Sequence, residues 1–242
     1  MAGDLLPVRV AARELLAPDI AGFTLVRVDG EPLPAFEPGA HIDVHAPGGW
    51  VRQYSLCEPV SAAGHYLIGV LRDPRSRGGS ASLFDGLRVG QALTIGLPRN
   101  LFPLKAGAGH SLLFAGGIGI TPIVCMARQL AREGAAFELH YSGRSLRQMA
   151  FVEPLRHAPF ADRVRFYADD EGGREQLDLL AAIGAPSPQR HLYVCGPAGF
   201  MDHVLAAARE LGWPESQLHR EYFTPAQVAE GVDTGFELQV VG

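Results

Sequence analysis

Ser111-Leu112-Leu113-Phe114-Ala115-Gly116-Gly117-Ile118-Gly119-Ile120-Thr121-Pro122 decides the architecture of the chain. Its first five residues form a near-continuous apolar run, the pattern of a strand covered on both faces. A glycine-rich turn follows at once. Beyond it Ile123, Met126, Ala127 and Leu130 recur at helical spacing, and Gly134 can close that helix. The pattern predicts Thr121 at the N-cap and Pro122 at the first helical position, where a missing N–H costs nothing. Strand, glycine turn and helix together aim a helix N-terminus at a pyrophosphate. A bare Gly-x-Gly is weak, but here the flanking strand and helix supply the context it needs.

Toward the C-terminus the alternation continues. Phe137–Tyr141, Val164–Tyr167 and His191–Cys195 read as strands, with helices near 148–156 and 176–183. That is a doubly wound parallel sheet. Ligands of such sheets sit at the strands' C-terminal ends, here Ala115, Ser142, Ala168 and Cys195. Each end is followed by small or polar residues: Gly116-Gly117, Gly143-Arg144, Asp169-Asp170 and Gly196-Pro197. Cys195 is either a small buried space-filler or a residue facing the ligand crevice. A further helix buries Phe200, Met201, Val204 and Leu205 and ends at Gly212; His219–Phe223 reads as the last strand.

Toward the N-terminus the pattern differs. Val8–Val10, Phe23–Val26, His41–Val44, Tyr66–Val70 and Ala92–Ile95 are short strands separated by Asp29-Gly30, Glu37-Pro38-Gly39, Pro47-Gly48-Gly49 and Val89-Gly90. Such spacing predicts an antiparallel barrel or sandwich. Within it, Arg52-Gln53-Tyr54-Ser55-Leu56 offers a guanidinium for a phosphate, a ring wall and a short hydroxyl. By strand alternation Arg52 and Tyr54 share one face, Gln53 and Ser55 the other. In Arg75–Phe84, Gly78 and Gly79 precede a short helix expected to be capped by Ser80, with Leu83 and Phe84 on its apolar side. Free amides at such a start form an anion site. Between residues 50 and 105 stand seven basic and three acidic residues, a local positive excess in a chain of net charge -5.

The 242 residues, 47% hydrophobic and 19% charged, suit one large or two medium domains with real cores. The charge balance disfavours nucleic acid. No apolar stretch reaches the roughly 18 residues a membrane span needs, and the N-terminus lacks a signal-peptide pattern. Cys57, Cys125 and Cys195 are isolated. An odd, unpatterned count points to a reducing, cytoplasmic setting and predicts neither disulfide nor metal ligands.

Arg-x-Tyr-Ser-Leu, Gly-Gly-Ser, Gly-x-Gly-x-x-Pro, Cys-Gly-Pro and Glu-x-Phe occur in this order, so residues 5–223 resemble the ferredoxin reductase superfamily of flavin and pyridine-nucleotide enzymes. Arg52–Cys57, Arg77–Ser80 and Cys195–Met201 resemble most the phthalate dioxygenase reductase group, the reductases of Rieske-type oxygenases such as vanillate demethylase. Reductase domains fused to P450s look similar. The resemblance implies a flavin-binding β-barrel over 1–100 and an NAD-binding α/β domain over 101–224, with FMN, NADH and a plant-type [2Fe-2S] domain that hands electrons to a terminal oxygenase.

It also implies roles. Arg52, Gln53, Tyr54 and Ser55 would bind the flavin, with Ser55 near N5, while Val70, Leu71 and Arg72 add contacts. Gly78, Gly79, Ser80 and Ala81 would hold its phosphate. Gly117, Gly119 and Thr121 would form the nucleotide turn, and Ser142, Arg144 and Asp169 the adenosine end. Cys195, with Gly196, Pro197 and Met201 after it, would lie over the nicotinamide. Glu221 and Phe223 would close the flavin from the other side. Ser55, Cys195 and Glu221 are thus the catalytic candidates. Arg144 and Arg147 could hold a 2′-phosphate, but Asp169 and Asp170 would repel one, so NADH is expected.

The three cysteines cannot supply the four ligands of a plant-type cluster. Residues 225–242 are therefore expected to be a linker and the first strand, Phe236–Val241, of a ferredoxin domain missing from a truncated chain. Other readings remain open: an FAD-dependent ferredoxin–NADP reductase or flavin reductase, or a non-catalytic nucleotide-binding electron-carrier subunit.

Overall fold

A computed structural model describes residues 5–46, 49–59, 64–73, 79–170 and 177–223. Gly78 and the expected linker and strand of 225–242 lie outside them.

The N-terminal half is an antiparallel sheet of β1 (Leu5–Ala17), β2 (Ile20–Arg27), β3 (Ala40–Ala46), β4 (Trp50–Ser55), β5 (Tyr66–Leu71), β6 (Ala92–Gly96) and the two-residue β7 (Arg99–Asn100). Its spatial order is β4-β3-β6-β1-β2-β5, with β7 on β3. Leu56, just past β4, bridges Ile68 in β5, so the two ends of the path meet and the sheet closes. That bridge brings the two end strands of the path together. Val8, Val10, Phe23, Leu25, Ile42 and Val44 fill the interior from alternate strand positions. Helix α1 (Gly79–Gly86) adds Leu83 and Phe84 to that core. It starts at Gly79, so Ser80 lies inside the first turn rather than at the cap.

The C-terminal half is a parallel sheet of β8 (His110–Gly116), β9 (Ala136–Gly143), β10 (Val164–Ala168), β11 (Arg190–Cys195) and β12 (Leu218–Glu221), in the order β10-β9-β8-β11-β12. Helices α2 (Ile120–Arg132), α3 (Val152–Arg156), α4 (Leu179–Ile183) and α5 (Ala198–Glu210) connect the strands. The expected helices near 148–156 and 176–183 are shorter, and the last strand ends at Glu221, before Phe223.

Thr121 is not the N-cap of α2. A 3₁₀ turn over Gly117–Gly119 runs straight into the helix, Gly119 is the cap, and Thr121 Oγ1 donates to the Ile118 carbonyl at 3.0 Å. Pro122 is then the third helical residue, still among the four whose N–H has no helical partner.

One hydrophobic cluster joins the halves: Ala17, Ile20, Cys57 and Leu67 of the barrel pack with Leu113, Ile120, Ile123 and Val124. Arg128 on α2 clamps the seam, donating to Glu58 Oε1 at 2.7 Å and to the Cys57 carbonyl at 3.2 Å. At Gly69 on β5 a Cβ would stand 2.8 Å from Thr121 Cγ2, so the barrel wall lies directly on the start of α2. Among the described residues no helix is long and apolar enough to cross a membrane.

Candidate active site

The parallel sheet reverses its winding between β8 and β11, and a crevice opens there at the strands' carboxyl ends. Gly117 adopts φ +53°, a left-handed conformation that favours glycine. Tyr141 beneath it donates from its hydroxyl to the Gly117 carbonyl at 3.1 Å. A Cβ on Gly119 would fall 2.2 Å from the Cys195 carbonyl oxygen, and one on Gly196 would fall 2.9 Å from Gly116 Cα. The two strand-to-helix turns thus touch through backbone alone.

The barrel reaches this crevice at the end of β4. Ser55, 3% exposed, donates from Oγ to Glu221 Oε2 at 3.2 Å, a contact spanning 166 positions of sequence. Parallel register sets Cys195 beside Glu221. Cys195 is fully buried, and that burial, reinforced by the Glu221 carboxylate, holds its thiol well above the ordinary range. Burial thus disfavours the thiolate, the form in which a cysteine acts as a nucleophile. The three catalytic candidates stand together.

Arg52 lies on the other side of the β4 end. Its guanidinium stacks 4.8 Å over the Trp50 ring, and a Cβ on Gly79 would come within 2.7 Å of Arg52 Nε. The guanidinium therefore presses on the first turn of α1. Within that turn Ser80 Oγ is buried without a hydrogen-bond partner among the described residues, and Ala81 follows it. A cation, a helix start and an orphaned hydroxyl fit the phosphate end of a flat-ring cofactor. Tyr54 leans on the barrel core beside them, whereas Gln53 is exposed. Val70 points into the barrel, and Leu71 packs at the seam. Arg72 is engaged elsewhere, donating from Nε to Asp85 Oδ2 at 3.0 Å.

At the β9 end Ser142 Oγ is buried without a partner among the described residues, and Arg144 is exposed. The Asp169 and Asp170 amides donate to the Gly143 and Arg144 carbonyls, so both acids stand beside Arg144. Pro197 caps α5. Met201 sits apart from these groups, in the core under α5. Phe223 is 44% exposed just beyond Glu221. Two residues of this neighbourhood carry no local signal in the sequence. Tyr141 is one apolar strand position among several. His41 is recognisable only through its register opposite Ser55.

No protein-family model matches the chain. It is 51% identical over 236 residues to a vanillate O-demethylase oxidoreductase of Pseudomonas sp. (strain HR199 / DSM 7063), covering 98% of this chain and 74% of that one. It is 37% identical over 236 residues to the phthalate dioxygenase reductase of Burkholderia cepacia, covering 97% and 73%. A solved phthalate dioxygenase reductase, described as a modular structure for electron transfer from pyridine nucleotides to [2Fe-2S], superposes with TM-score 0.85 at 38% identity over 90% of this chain and 68% of that one. A closed barrel followed by a five-stranded parallel sheet is the fold of ferredoxin-reductase-like flavoprotein oxidoreductases. Within that class the chain belongs to the reductase components of oxygenase systems, the family of vanillate O-demethylase oxidoreductase and phthalate dioxygenase reductase.

Proposed function

We propose that the chain oxidises NADH through an FMN and passes the electrons to a [2Fe-2S] protein or domain that serves a terminal oxygenase. The observation that carries this is the Ser55–Glu221 hydrogen bond at 3.2 Å, which joins the end of a barrel strand to the strand paired with Cys195. It brings the two halves together at the mouth of the nucleotide crevice. A flavin held there would supply the chemistry that links a two-electron hydride donor to single-electron acceptors. The protein's own work is placement. Ser55 Oγ supplies a hydroxyl at the ring edge. Arg52, with Gly79 and Ser80, holds the phosphate, and Tyr54 flanks the ring.

Gly117, Gly119 and Thr121 shape the pyrophosphate turn, and Ser142, Arg144 and Asp169 receive the adenosine. Cys195 backs the nicotinamide, and Glu221 and Phe223 close the far side. In this reading the flavin domain is 1–100 and the nucleotide domain 101–224. Three buried thiols without a disulfide suit a cytoplasmic setting.

Mass spectrometry of the cofactor released by heat is expected to find FMN, because one guanidinium and one helix start suit a terminal phosphate; recovery of FAD would replace that assignment. Arg52→Ala is expected to weaken flavin retention by about 1.5–3 kcal/mol, the worth of a charge-assisted contact. A flavin titration of the stripped variant measures it, and unchanged affinity would put the phosphate elsewhere. NADH is expected to have the higher kcat/KM, since Asp169 and Asp170 are fixed at the Arg144 turn and oppose a 2′-phosphate. Equal constants for NADPH would mean that Arg144 and Arg147 outweigh them.

A further inference from the structure

Tyr141 takes no part in the reading above, yet its hydroxyl reaches the turn on which that reading depends. It stands in β9 opposite Ala115 of β8 and is fully buried. Leu113, Ala115, Ile120 and Met149 share its core cluster, and the centre of the Phe166 ring lies 6.2 Å from its own. A phenol oxygen in such a place needs a partner. It has one at 3.1 Å, donating to the Gly117 carbonyl. Burial holds the phenol well above the ordinary tyrosine range, so it stays protonated and a donor.

The Gly117 carbonyl has a second donor, the Ile120 amide that closes the 3₁₀ turn. Both of its lone pairs are thus engaged. The peptide unit joining Gly117 to Ile118 is planar and trans, so its N–H points opposite to its C=O. The carbonyl faces the buried phenol, and the Ile118 amide therefore faces away from it. Were this unit turned over, an oxygen would stand where an N–H now stands. An N–H attracts a phosphate and an oxygen repels one. Glycine pays little for either arrangement of its backbone. Space does not choose between them, because a Cβ on Gly117 would meet nothing within 4 Å. The choice falls to the hydrogen bonds from beneath.

We propose that Tyr141 is a positioning residue for pyridine-nucleotide binding: its hydroxyl pins the Gly117–Ile118 peptide with the carbonyl inward and the amide outward, the orientation an anionic pyrophosphate needs. The proposal deepens the nucleotide reading of the crevice and rests on it.

Two measurements test it. Tyr141→Phe removes one oxygen and keeps the ring with its packing. In the flavin-loaded chain, kcat/KM for NADH should fall at least about fivefold in this variant, through KM and at unchanged flavin content. N-benzyl dihydronicotinamide carries the same reducing ring without a phosphate, and its rate should change by less than about twofold. A loss shared by both donors would place the defect away from the pyrophosphate turn, and no loss with NADH would leave the hydroxyl idle; either result overturns the proposal. The second measurement needs no nucleotide. Gly117→Ala meets no neighbour, so its cost arises from the left-handed conformation at φ +53°. In urea it should lower the folding equilibrium constant about tenfold in the parent, and at least about threefold less in the Tyr141→Phe background, where the turn can relax. Strictly additive costs would overturn the pinning. A parent chain that bound no NADH would sink the reading of the crevice, and this cycle would still decide whether the hydroxyl fixes the turn.

Discussion

Gly119→Ala is expected to cost the fold about 3 kcal/mol and most of its pyridine-nucleotide affinity in one step. The added Cβ would lie 2.2 Å from the Cys195 carbonyl oxygen, 2.4 Å from its carbonyl carbon and 2.6 Å from the Gly196 nitrogen. All three are backbone atoms, so no side chain can rotate away. Relief requires the β8–α2 and β11–α5 turns to separate, and those turns are the floor of the crevice. Gly199→Ala, in the first turn of α5, is the control. A Cβ there meets nothing within 4 Å, and the change should stay within about 0.5 kcal/mol. Urea unfolding with an unchanged m-value measures the first effect, and NADH titration measures the second. A Gly119→Ala variant within about 1 kcal/mol of the parent would show that the two turns are not locked together.

That contact also shows which parts of the molecule were legible in the sequence. The strand Ser111–Ala115 and the spacing of Ile123, Met126, Ala127 and Leu130 are local patterns, and both elements form as expected. Thr121 was misplaced because its hydroxyl had two possible partners. The turn Gly117–Gly119 tightens into a 3₁₀ helix and offers the Ile118 carbonyl, so Thr121 donates backward instead of capping forward. Ser80 was misplaced because the glycine before it can itself begin a helix. Ser55 and Cys195 stood out by their places on strands, while their expected roles, and Glu221 itself, came from family resemblance. Their physical link, a hydrogen bond across 166 residues, has no local signature. His41 was missed for the same reason: its neighbours come from β4, β7 and β12, and no window of sequence contains them.

Electron transfer from this 242-residue chain to a large one-electron acceptor should be slow alone and at least about tenfold faster once a separate [2Fe-2S] protein is added. A plant-type cluster needs four cysteine thiolates. This sequence has three, and all are fully buried: Cys57 at the seam, Cys125 on α2 and Cys195 on β11. Burial raises all three thiols above the ordinary range, to about 12 for Cys125, so none is disposed to ligate iron. The groups assigned to nucleotide oxidation end at Phe223. Small acceptors such as ferricyanide should therefore be reduced at a good rate by the chain itself. Cytochrome c is too large to enter the crevice beside Ser55 and Cys195, both buried, and should depend on a carrier. The acceleration should rise with the concentration of added carrier, because nothing tethers the two and the encounter stays bimolecular. The measurement is cytochrome c reduction with NADH across a titration of the [2Fe-2S] protein. Fast reduction by the chain alone, unchanged along that titration, would show that electrons leave the barrel directly and that an iron–sulfur partner is not required.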